Sequence, residues 1–353
     1  HSLRYWRILI GPWLAYFMQM VFDRWSMLNS AFKSYDINCC KILLTVDNTF
    51  IPKDHDEFNN MCIDDNWNEM IYGQLLKEYR KDHIDFEYIT IKNDQVENTY
   101  RDNGLIRSSL SSLKQSLLSA INKYKYWMNS SDDYFLIKTY LPSAIEDELL
   151  LRLGQKPKLW ETPQIPKIEA NMGMRKWIID KYSEFDEFLN VIGRMIPFHI
   201  PTAYLEGYNS LVNLIENLTW PKKPKCIFAS NGIQTLDLLK AWAAQKTENG
   251  TALIIGQHGG HYGIGLWSFE EDHEISISDR YLSWGWSDPD QPKVYPVGQF
   301  KNVRPLGINH AEQSKLLLVT NVDSRYSYRM YSYTVSSQWL EYLEDQFIFT
   351  ENL

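Results

Sequence analysis

Residues 252–263 read Ala-Leu-Ile-Ile-Gly-Gln-His-Gly-Gly-His-Tyr-Gly, so a short apolar run passes directly into a glycine-rich loop. The four apolar residues at 252–255 predict a strand that is buried on both faces, as strands of parallel sheets are. Ligands of open α/β sheets bind outside the carboxyl ends of the strands, and glycines there let a backbone approach a ligand closely. This stretch therefore predicts a parallel α/β fold and also the edge of the sheet at which a site would lie.

Similar apolar runs recur along the chain and alternate with segments of helical periodicity. The alternation is typical of βαβ units, in which helices join parallel strands. We expect a Rossmann-like α/β fold, with one mainly parallel sheet and helices on both of its faces. The strands predicted for this sheet are 40–46, 86–91, 134–141, 226–229, 252–255 and 281–284. The main helical patterns cover 1–33 (with a kink predicted at Gly11-Pro12), 67–80, 106–128 and 235–247.

A domain boundary is predicted near residues 300–313, in a segment whose first eight residues, 300–307, read Phe-Lys-Asn-Val-Arg-Pro-Leu-Gly. We expect residues 1–305 to form an N-terminal Rossmann-like domain with helical additions, and residues 306–353 to begin a second, truncated α/β domain. The second domain would open with a strand at 315–322 and a helix at 337–347, and its apolar face would be left partly uncovered. The lack of an initiator Met and the apolar run near the last residue predict a piece of a longer protein.

Composition and charge exclude several classes of protein. A formal net charge of −8 without a basic tract argues against general nucleic-acid binding, although local Lys/Arg pockets can still hold a phosphate. Four cysteines without metal-ligand spacing indicate a reducing, cytoplasmic environment. The most apolar stretch, residues 8–22, is too short to span a membrane, so any membrane association is expected to be peripheral, at the inner face. An aromatic content of 14% indicates either a sugar- or nucleotide-binding cleft or a large aromatic core.

The glycine-rich loop carries the first candidate site. His258 follows the predicted strand directly and is the candidate acid, base or phosphate-binding group, the alternative being a histidine that only caps a tight turn. Gln257, Gly259, Gly260 and His261 are expected to contact substrate, because amides of such a loop can face an anion. The loop has neither the Gly-Lys-Ser/Thr of a P-loop nor the Gly-x-Gly-x-x-Gly of a dinucleotide fold.

A second strand end, at 226–229, is followed by Ser230 and Asn231, which suit either a turn and helix cap or a substrate contact. Asp237 comes near the start of the next predicted helix. It is either a charge that balances the helix dipole or a carboxylate that faces the same cleft as His258.

Further acidic and basic residues are also candidates for the site. The acidic cluster 270–272 is expected to be solvated, whereas His273 and Glu274, on the approach to the next strand, are expected to bind substrate. Glu206 is a lone acid in an apolar and aromatic context, so it is either a partly buried acid/base group of raised pKa or a satisfied structural hydrogen-bond partner. The His/Glu spacing does not form a zinc-binding helix, so neither a metal nor a cofactor is expected.

Three ordered stretches, 1–14 (His-Ser-Leu-Arg-Tyr-Trp-Arg-Ile-Leu-Ile-Gly-Pro-Trp-Leu), 255–263 and 278–286, resemble the motifs of a transferase family found in bacterial surface-polysaccharide gene clusters and first named from spirochaetes. More distantly, the Gln-His-Gly after a strand and the Asp-x-x-x-x-Trp-Gly at 279–285 are similar to the capsule-synthesis glycosyltransferases that transfer Kdo. That family has the GT-B architecture, in which two Rossmann-like domains hold the donor in the cleft between them.

The resemblance implies a glycosyltransferase that moves a sugar, Kdo or a related ulosonic acid, from a nucleotide-sugar donor (CMP-linked for such sugars) to a surface polysaccharide or lipopolysaccharide. The chain would supply the acceptor-side domain and the start of the nucleotide-binding domain. His258 would be catalytic, and Asp237 or Glu206 would supply a second charge. The alternatives are a non-catalytic carbohydrate-binding or assembly protein with a GT-B shell, and a phosphotransferase with His258 as nucleophile. We expect one cleft to contain His258, His261, Asp237, His273, Glu274 and Glu206.

Overall fold

The computed structural model describes residues 1–44, 49–79, 84–90, 131–158, 160–179, 187–301, 317–320 and 324–353. Its strands are β1 (Cys39–Leu44), β2 (Asp85–Thr90), β3 (Phe135–Ile137), β4 (Cys226–Ala229), β5 (Ala252–Gly256), β6 (Arg280–Ser283) and β7 (Val294–Pro296). Strands β3 to β7 form a five-stranded sheet in the order β3-β4-β5-β6-β7, and every neighbouring pair is parallel. The predicted α/β fold with parallel sheets flanked by helices is confirmed.

The prediction of a single sheet is wrong in one respect. Within the described residues β1 and β2 pair only with each other, in parallel, and form a separate two-stranded sheet. This small sheet has its own apolar cluster, built from Ile42, Leu76 and Ile84. β2 is exposed at five of its six residues, so the expected burial on both faces is also wrong for it. An apolar run predicts a strand but does not say which neighbour the strand pairs with, and that is why these two strands were assigned to the main sheet.

The helices are α1 (Leu3–Leu9), α2 (Gly11–Ser34), α3 (His55–Met61), α4 (Asp65–Tyr79), α5 (Ser143–Arg152), α6 (Glu187–His199), α7 (Tyr208–Glu216), α8 (Gly232–Thr235), α9 (Asp237–Glu248), α10 (Phe269–Ile277) and α11 (Gln338–Glu351). Two short 3-10 turns cover Met172–Arg175 and Thr202–Tyr204. The predicted break at Gly11-Pro12 is confirmed, because α1 ends just before it and α2 begins there. The predicted helix at 106–128 lies outside the described residues.

The side chains of the five-stranded sheet point alternately to its two faces, and each face packs in an apolar cluster. Ile227 and Ile255 belong to the main core, together with residues of α1, α2 and α9. Phe228, on the opposite face of the sheet, packs with Leu136 of β3 and Leu150 of α5 in a smaller cluster. Burying one such apolar side chain stabilises the fold by about 1.5–3 kcal/mol, so these strands are fixed in register by their apolar pattern.

Many of the aromatic residues serve the core. Trp13, Trp67, Trp220 and Trp242 are each at most 2% exposed. The Phe135 ring on β3 lies with its centroid 4.4 Å from that of Trp242 and 4.7 Å from that of Trp220. Of the two interpretations of the aromatic content, the aromatic core accounts for these side chains.

The last part of the chain packs on the rest of the molecule through apolar and polar contacts, and Tyr328, Met330 and Tyr331 lie against the main core. Arg24 of α2 donates a hydrogen bond of 2.6 Å to the carbonyl of Ser327, and the hydroxyls of Tyr16 and Tyr331 are 2.6 Å apart. The predicted helix at 337–347 is confirmed as α11, which has no buried residue. Residues 317–320 form no strand, contrary to the prediction for 315–322, and most of the predicted boundary at 300–313 lies outside the described residues. None of the described helices combines the length and the hydropathy needed to cross a bilayer.

Candidate functional site

The carboxyl ends of β4, β5 and β6 lie side by side, because these strands are parallel neighbours in the sheet. The loops that follow them begin at Ser230, Gln257 and Trp284. The sequence had placed its main candidates on these loops, and strand ends of this kind are where open α/β sheets bind ligands.

Gln257 holds the β5 loop in shape. Its Oε1 accepts hydrogen bonds of 2.8 Å from the Trp284 backbone N–H and from the Trp286 indole, which ties the loop to the end of β6. Its Nε2 donates to the carbonyls of Gly259 (2.8 Å) and Tyr262 (3.4 Å). These contacts use the full hydrogen-bonding capacity of the amide, so Gln257 positions the loop, where the sequence had suggested a substrate contact.

His258 is held by a buried carboxylate. Its Nε2 lies 2.9 Å from Oε1 of Glu274 and 2.8 Å from the hydroxyl of Tyr262, while that hydroxyl lies 2.9 Å from Oε2 of Glu270. A consistent assignment has Nε2–H donating to Glu274 and the Tyr262 O–H donating to Glu270. The neutral imidazole then carries its lone pair on Nδ1, which has no hydrogen-bond partner among the described residues.

The charges around this pair favour a bound proton. Burial disfavours the charged imidazole, but the Glu274 carboxylate outweighs it and raises the pKa of His258 above its ordinary value of 6.5. Burial raises the pKa of Glu274, and the neighbouring His258 opposes this only in part. His258 is therefore a group that can take up and release a proton in the range in which acid–base catalysts work.

Glu274 itself is fully buried on α10. Its Oε1 also accepts a hydrogen bond of 2.9 Å from Nε2 of Gln234, but its Oε2 is buried without a partner. Leaving a buried polar atom unpaired costs roughly 1–3 kcal/mol, which adds to the cost of holding a charge on Glu274.

Glu270, one turn earlier on α10, is the negative centre next to the pair. It accepts hydrogen bonds from the hydroxyls of Tyr16 and Tyr262 and is only 6% exposed. Burial alone would raise the pKa of Glu270, but hydrogen bonds from Tyr16 and Tyr331 lower it below its ordinary value. The expectation that this residue is solvated is wrong, because its helix turns it inward onto the hydroxyl of the nearby Tyr262 and onto those of Tyr16 and Tyr331, which come from distant parts of the chain.

The end of β3 brings an aromatic ring to the same place. Lys138 and Tyr140 both adopt left-handed backbone conformations, with φ of 50° and 63°. The Tyr140 ring lies 6.3 Å from the His258 ring, nearly parallel to it, and the Lys301 ammonium lies 4.8 Å from the centre of the Tyr140 ring. Such conformations cost about 1 kcal/mol or more in non-glycine residues and often mark functional loops.

Ser230 fastens the β3 and β4 loops to each other. Its N–H donates to the Lys138 carbonyl (3.1 Å) and its Oγ to the Thr139 carbonyl (3.0 Å). Asn231 immediately precedes α8, but its side chain makes no cap hydrogen bond. Ser230 therefore holds the backbone that precedes Tyr140 in place. Asn231 stays a predicted substrate contact.

The rest of the glycine-rich loop is partly exposed. The His261 ring stacks on Tyr262 with a centroid distance of 4.2 Å, and its Nε2 is buried without a partner. Burial lowers the pKa of His261, although Glu270 opposes this. Gly260 is open to solvent, whereas a Cβ on Gly259 would meet His261 at 3.0 Å. Gly263 is the position in this loop that requires glycine, because its φ is +76° and a Cβ would lie 2.6 Å from the Trp286 indole.

Asp237, the predicted second charge, is fully engaged elsewhere. Its carboxylate accepts hydrogen bonds from the His55 backbone N–H (2.6 Å) and the Tyr204 hydroxyl, and it pairs with the Lys240 ammonium at 2.5 Å. Lys240 is completely buried, and its ammonium also donates to the Tyr204 hydroxyl. Asp237 therefore joins the starts of α3 and α9 to the turn at Thr202–Tyr204. It shares no hydrogen bond with the His258 cluster, which consists of His258, His261, Tyr262, Glu270 and Glu274.

Glu206 forms a buried ion pair with Arg175. Both carboxylate oxygens lie 2.6 Å from guanidinium nitrogens, and Oε1 also accepts from the Asn171 N–H at 2.8 Å. Burial alone would raise the pKa of Glu206, but the hydrogen bonds from Arg175 and Asn171 lower it below its ordinary value. The expectation of a raised pKa is wrong because folding brings Arg175, 31 residues away in the chain, onto both carboxylate oxygens, so Glu206 is the satisfied structural partner of the two alternatives.

His273 lies against the junction of α1 and α2. Its Nε2 donates a hydrogen bond of 2.8 Å to the Arg7 carbonyl, and a Cβ on Gly11 would lie only 2.6 Å from that nitrogen. Burial lowers the pKa of His273 to about 4, so the ring is neutral near pH 7. His273 fastens α10 to the N-terminal helices and does not hydrogen-bond to the His258 cluster.

Of the six residues expected in one cleft, the structure joins His258, His261 and Glu274 in one cluster. Tyr262 and Glu270 complete it, and sequence reasoning missed them because their partners are set by tertiary packing. Within the described part of the chain, no group of three or more His, Cys, Asp or Glu side chains is arranged to hold a metal ion.

Comparisons with known proteins agree with the first resemblance. A family model described as LIC12162 family transferase matches residues 1–353. Neither the curated proteins nor the solved structures that were searched gave a match. Because the family model covers the whole chain, the chain belongs to the LIC12162 family of transferases.

Proposed function

We propose that this transferase is a glycosyltransferase that moves a sugar from a nucleotide-sugar donor to a surface polysaccharide or lipopolysaccharide acceptor. The chain would supply the acceptor-side domain, in residues 1–305, and the first part of a nucleotide-sugar-binding domain in a GT-B arrangement. The observation that carries the proposal is His258 at the end of β5, with Nε2 bound to the buried Glu274 and Nδ1 unpartnered. The resemblance to Kdo transferases makes a CMP-linked ulosonic acid the first donor to test.

In the proposed reaction the acceptor hydroxyl attacks the anomeric carbon while the bond from that carbon to the donor phosphate breaks. The hydroxyl proton passes to Nδ1 of His258, and the phosphate leaves with the bonding electrons. Glu274 is a positioning residue, because it fixes the tautomer and stabilises the imidazolium that forms, as the carboxylate of a catalytic triad does. Lys301, beside Tyr140, would supply positive charge for the leaving phosphate.

The test is nucleotide release from a panel of nucleotide sugars by the full-length protein and its His258→Ala variant. We expect the variant to lose transfer by about 10²-fold or more, the usual effect of removing one acid–base group, while its circular dichroism is unchanged. Full activity in the variant would overturn the role of His258. If the wild type bound a nucleotide sugar but transferred no sugar, the non-catalytic alternative would be favoured.

We also propose that the site works at a membrane surface. The loop that carries His261 continues into Ile264, Leu266 and Trp267, which are 82%, 88% and 79% exposed. Three large apolar side chains at one loop tip are costly in water, and Trp is favoured at the interface of a bilayer. A glycolipid acceptor would present its head group at that level.

A further inference from the structure

A cavity of about 530 Å³ lies between α4, α6 and the segment that follows the turn at Met172–Arg175. Its walls include Lys77, Met172, Lys176, Trp177, Arg194 and Phe198. No residue of the His258 cluster lines it. Its volume is in the range of about 300–1,000 Å³ that small-molecule sites occupy.

The wall formed by the turn is held firmly in place. Arg175 is completely buried, and besides Glu206 it donates hydrogen bonds of 2.9 Å to the carbonyls of Pro197 and Ile200 at the end of α6. Met172 and Trp177 flank this anchor in the chain. The buried Arg175–Glu206 ion pair therefore holds one wall of the cavity in a fixed position.

The described lining carries an excess of positive charge. Lys77, Lys176 and Arg194 are opposed by Glu78, which lies 2.8 Å from Nε of Arg194. His199 adds no charge, because burial and the nearby Arg175 lower its pKa to about 3. In a chain of net charge −8, two surplus cations among the described lining residues favour an anion of about two charges, such as a phosphate monoester.

The rest of the lining is apolar and adaptable. Trp177 and Phe198 remain 37% and 39% exposed although they are large, and Met70 and Met195 lie deeper. Oε1 of Gln74 is already bound by Nε2 of His199 at 2.7 Å, which leaves only the amide N–H groups of Gln74 to contact a ligand. Methionine and aromatic walls suit an aliphatic body.

We propose that this cavity binds a phosphate monoester with an aliphatic body, at a site separate from the His258 cluster. The cations hold the phosphate, and the methionine and aromatic side chains cover the chain. The inference does not rest on the proposed glycosyl transfer.

The test is calorimetric titration of the full chain with octyl phosphate, 1-octanol, inorganic phosphate and CMP. We expect octyl phosphate to bind at one site, and the other three to bind at least about tenfold more weakly, because each lacks the charge or the aliphatic body. Tighter binding of CMP, or equal binding of inorganic phosphate, would overturn the proposal.

Variants locate the site. Lys176→Glu and Trp177→Ala are expected to weaken octyl phosphate about tenfold each, whereas Lys156→Glu, an exposed lysine on another segment, and His258→Ala leave it unchanged. If His258→Ala abolished octyl phosphate binding, or if neither cavity variant weakened it, the ligand would lie elsewhere and the inference would fail. Loss of transfer in His258→Ala alone tests only the proposed function.

Discussion

Glu206 and Glu274 are both buried carboxylates paired with a basic side chain, yet only one of them has its bonding capacity filled. Arg175 binds both oxygens of Glu206, and the Asn171 N–H adds a third contact. Glu274 has one oxygen bound by His258 and Gln234 and the other buried without a partner. The comparison shows that saturation, more than burial, separates a pair that holds the fold from a pair that is available for chemistry.

The two carboxylates also respond to pH in opposite directions. The pKa of Glu206 is lowered, so its stabilising effect is present above its ordinary value of 4.5 and is lost as the pH falls through the lowered value. The pKa of Glu274 is raised, so the folded protein binds its proton more tightly and this carboxyl favours the folded state less as the pH rises above 4.5. The two pKa values shift in opposite directions because hydrogen bonds to both oxygens stabilise the Glu206 carboxylate, whereas burial outweighs the hydrogen bonds at Glu274.

The largest expected effect is on stability. Glu206→Gln leaves the buried Arg175 charge without its carboxylate and should lower the free energy of unfolding by about 3–5 kcal/mol, measured in urea. Glu274→Gln is the matched control, expected to change it by less than about 1 kcal/mol, because the amide keeps both hydrogen bonds at Oε1. Equal losses in the two variants would break the comparison.

A smaller effect is expected on the pH profile of transfer. The carboxylate of Glu274 raises the pKa of His258, so Glu274→Gln should lower that pKa and move the rising limb of kcat/KM to lower pH. Asp272→Asn, which removes an exposed carboxylate from the same helix, should leave the profile in place. An unmoved profile in Glu274→Gln would mean that Glu274 does not act through His258.

The smallest effect on the fold is expected at the loop tip. Trp267→Ser should change stability by no more than about 0.5 kcal/mol, yet reduce co-sedimentation with phosphatidylcholine vesicles severalfold. Leu151→Ser, at an exposed apolar position on α5, is the control and should sediment like the wild type. Equal co-sedimentation of the two variants with the vesicles would mean that the loop tip does not bind the bilayer.

The sequence predicted the strand ends better than it predicted the partners found there. The runs at 226–229, 252–255 and 281–284 correspond to β4, β5 and β6, and His258 lies where the β5 run predicted it. Local periodicity contains that information because a parallel strand is apolar throughout. The roles of Glu206 and Asp237 could not be predicted in this way. Their partners Arg175 and Tyr204 come from other segments, and only the folded chain brings them together.

The two outer strands of the five-stranded sheet limit its growth. Within the described residues β3 and β7 are the edges, and each has only three residues. β7 ends at Pro296, which has no N–H to offer a further strand, and β3 runs into the left-handed Lys138. Short edges interrupted by proline or by a turn are poor templates for another chain. The sheet that positions His258 is thereby protected against edge-to-edge aggregation.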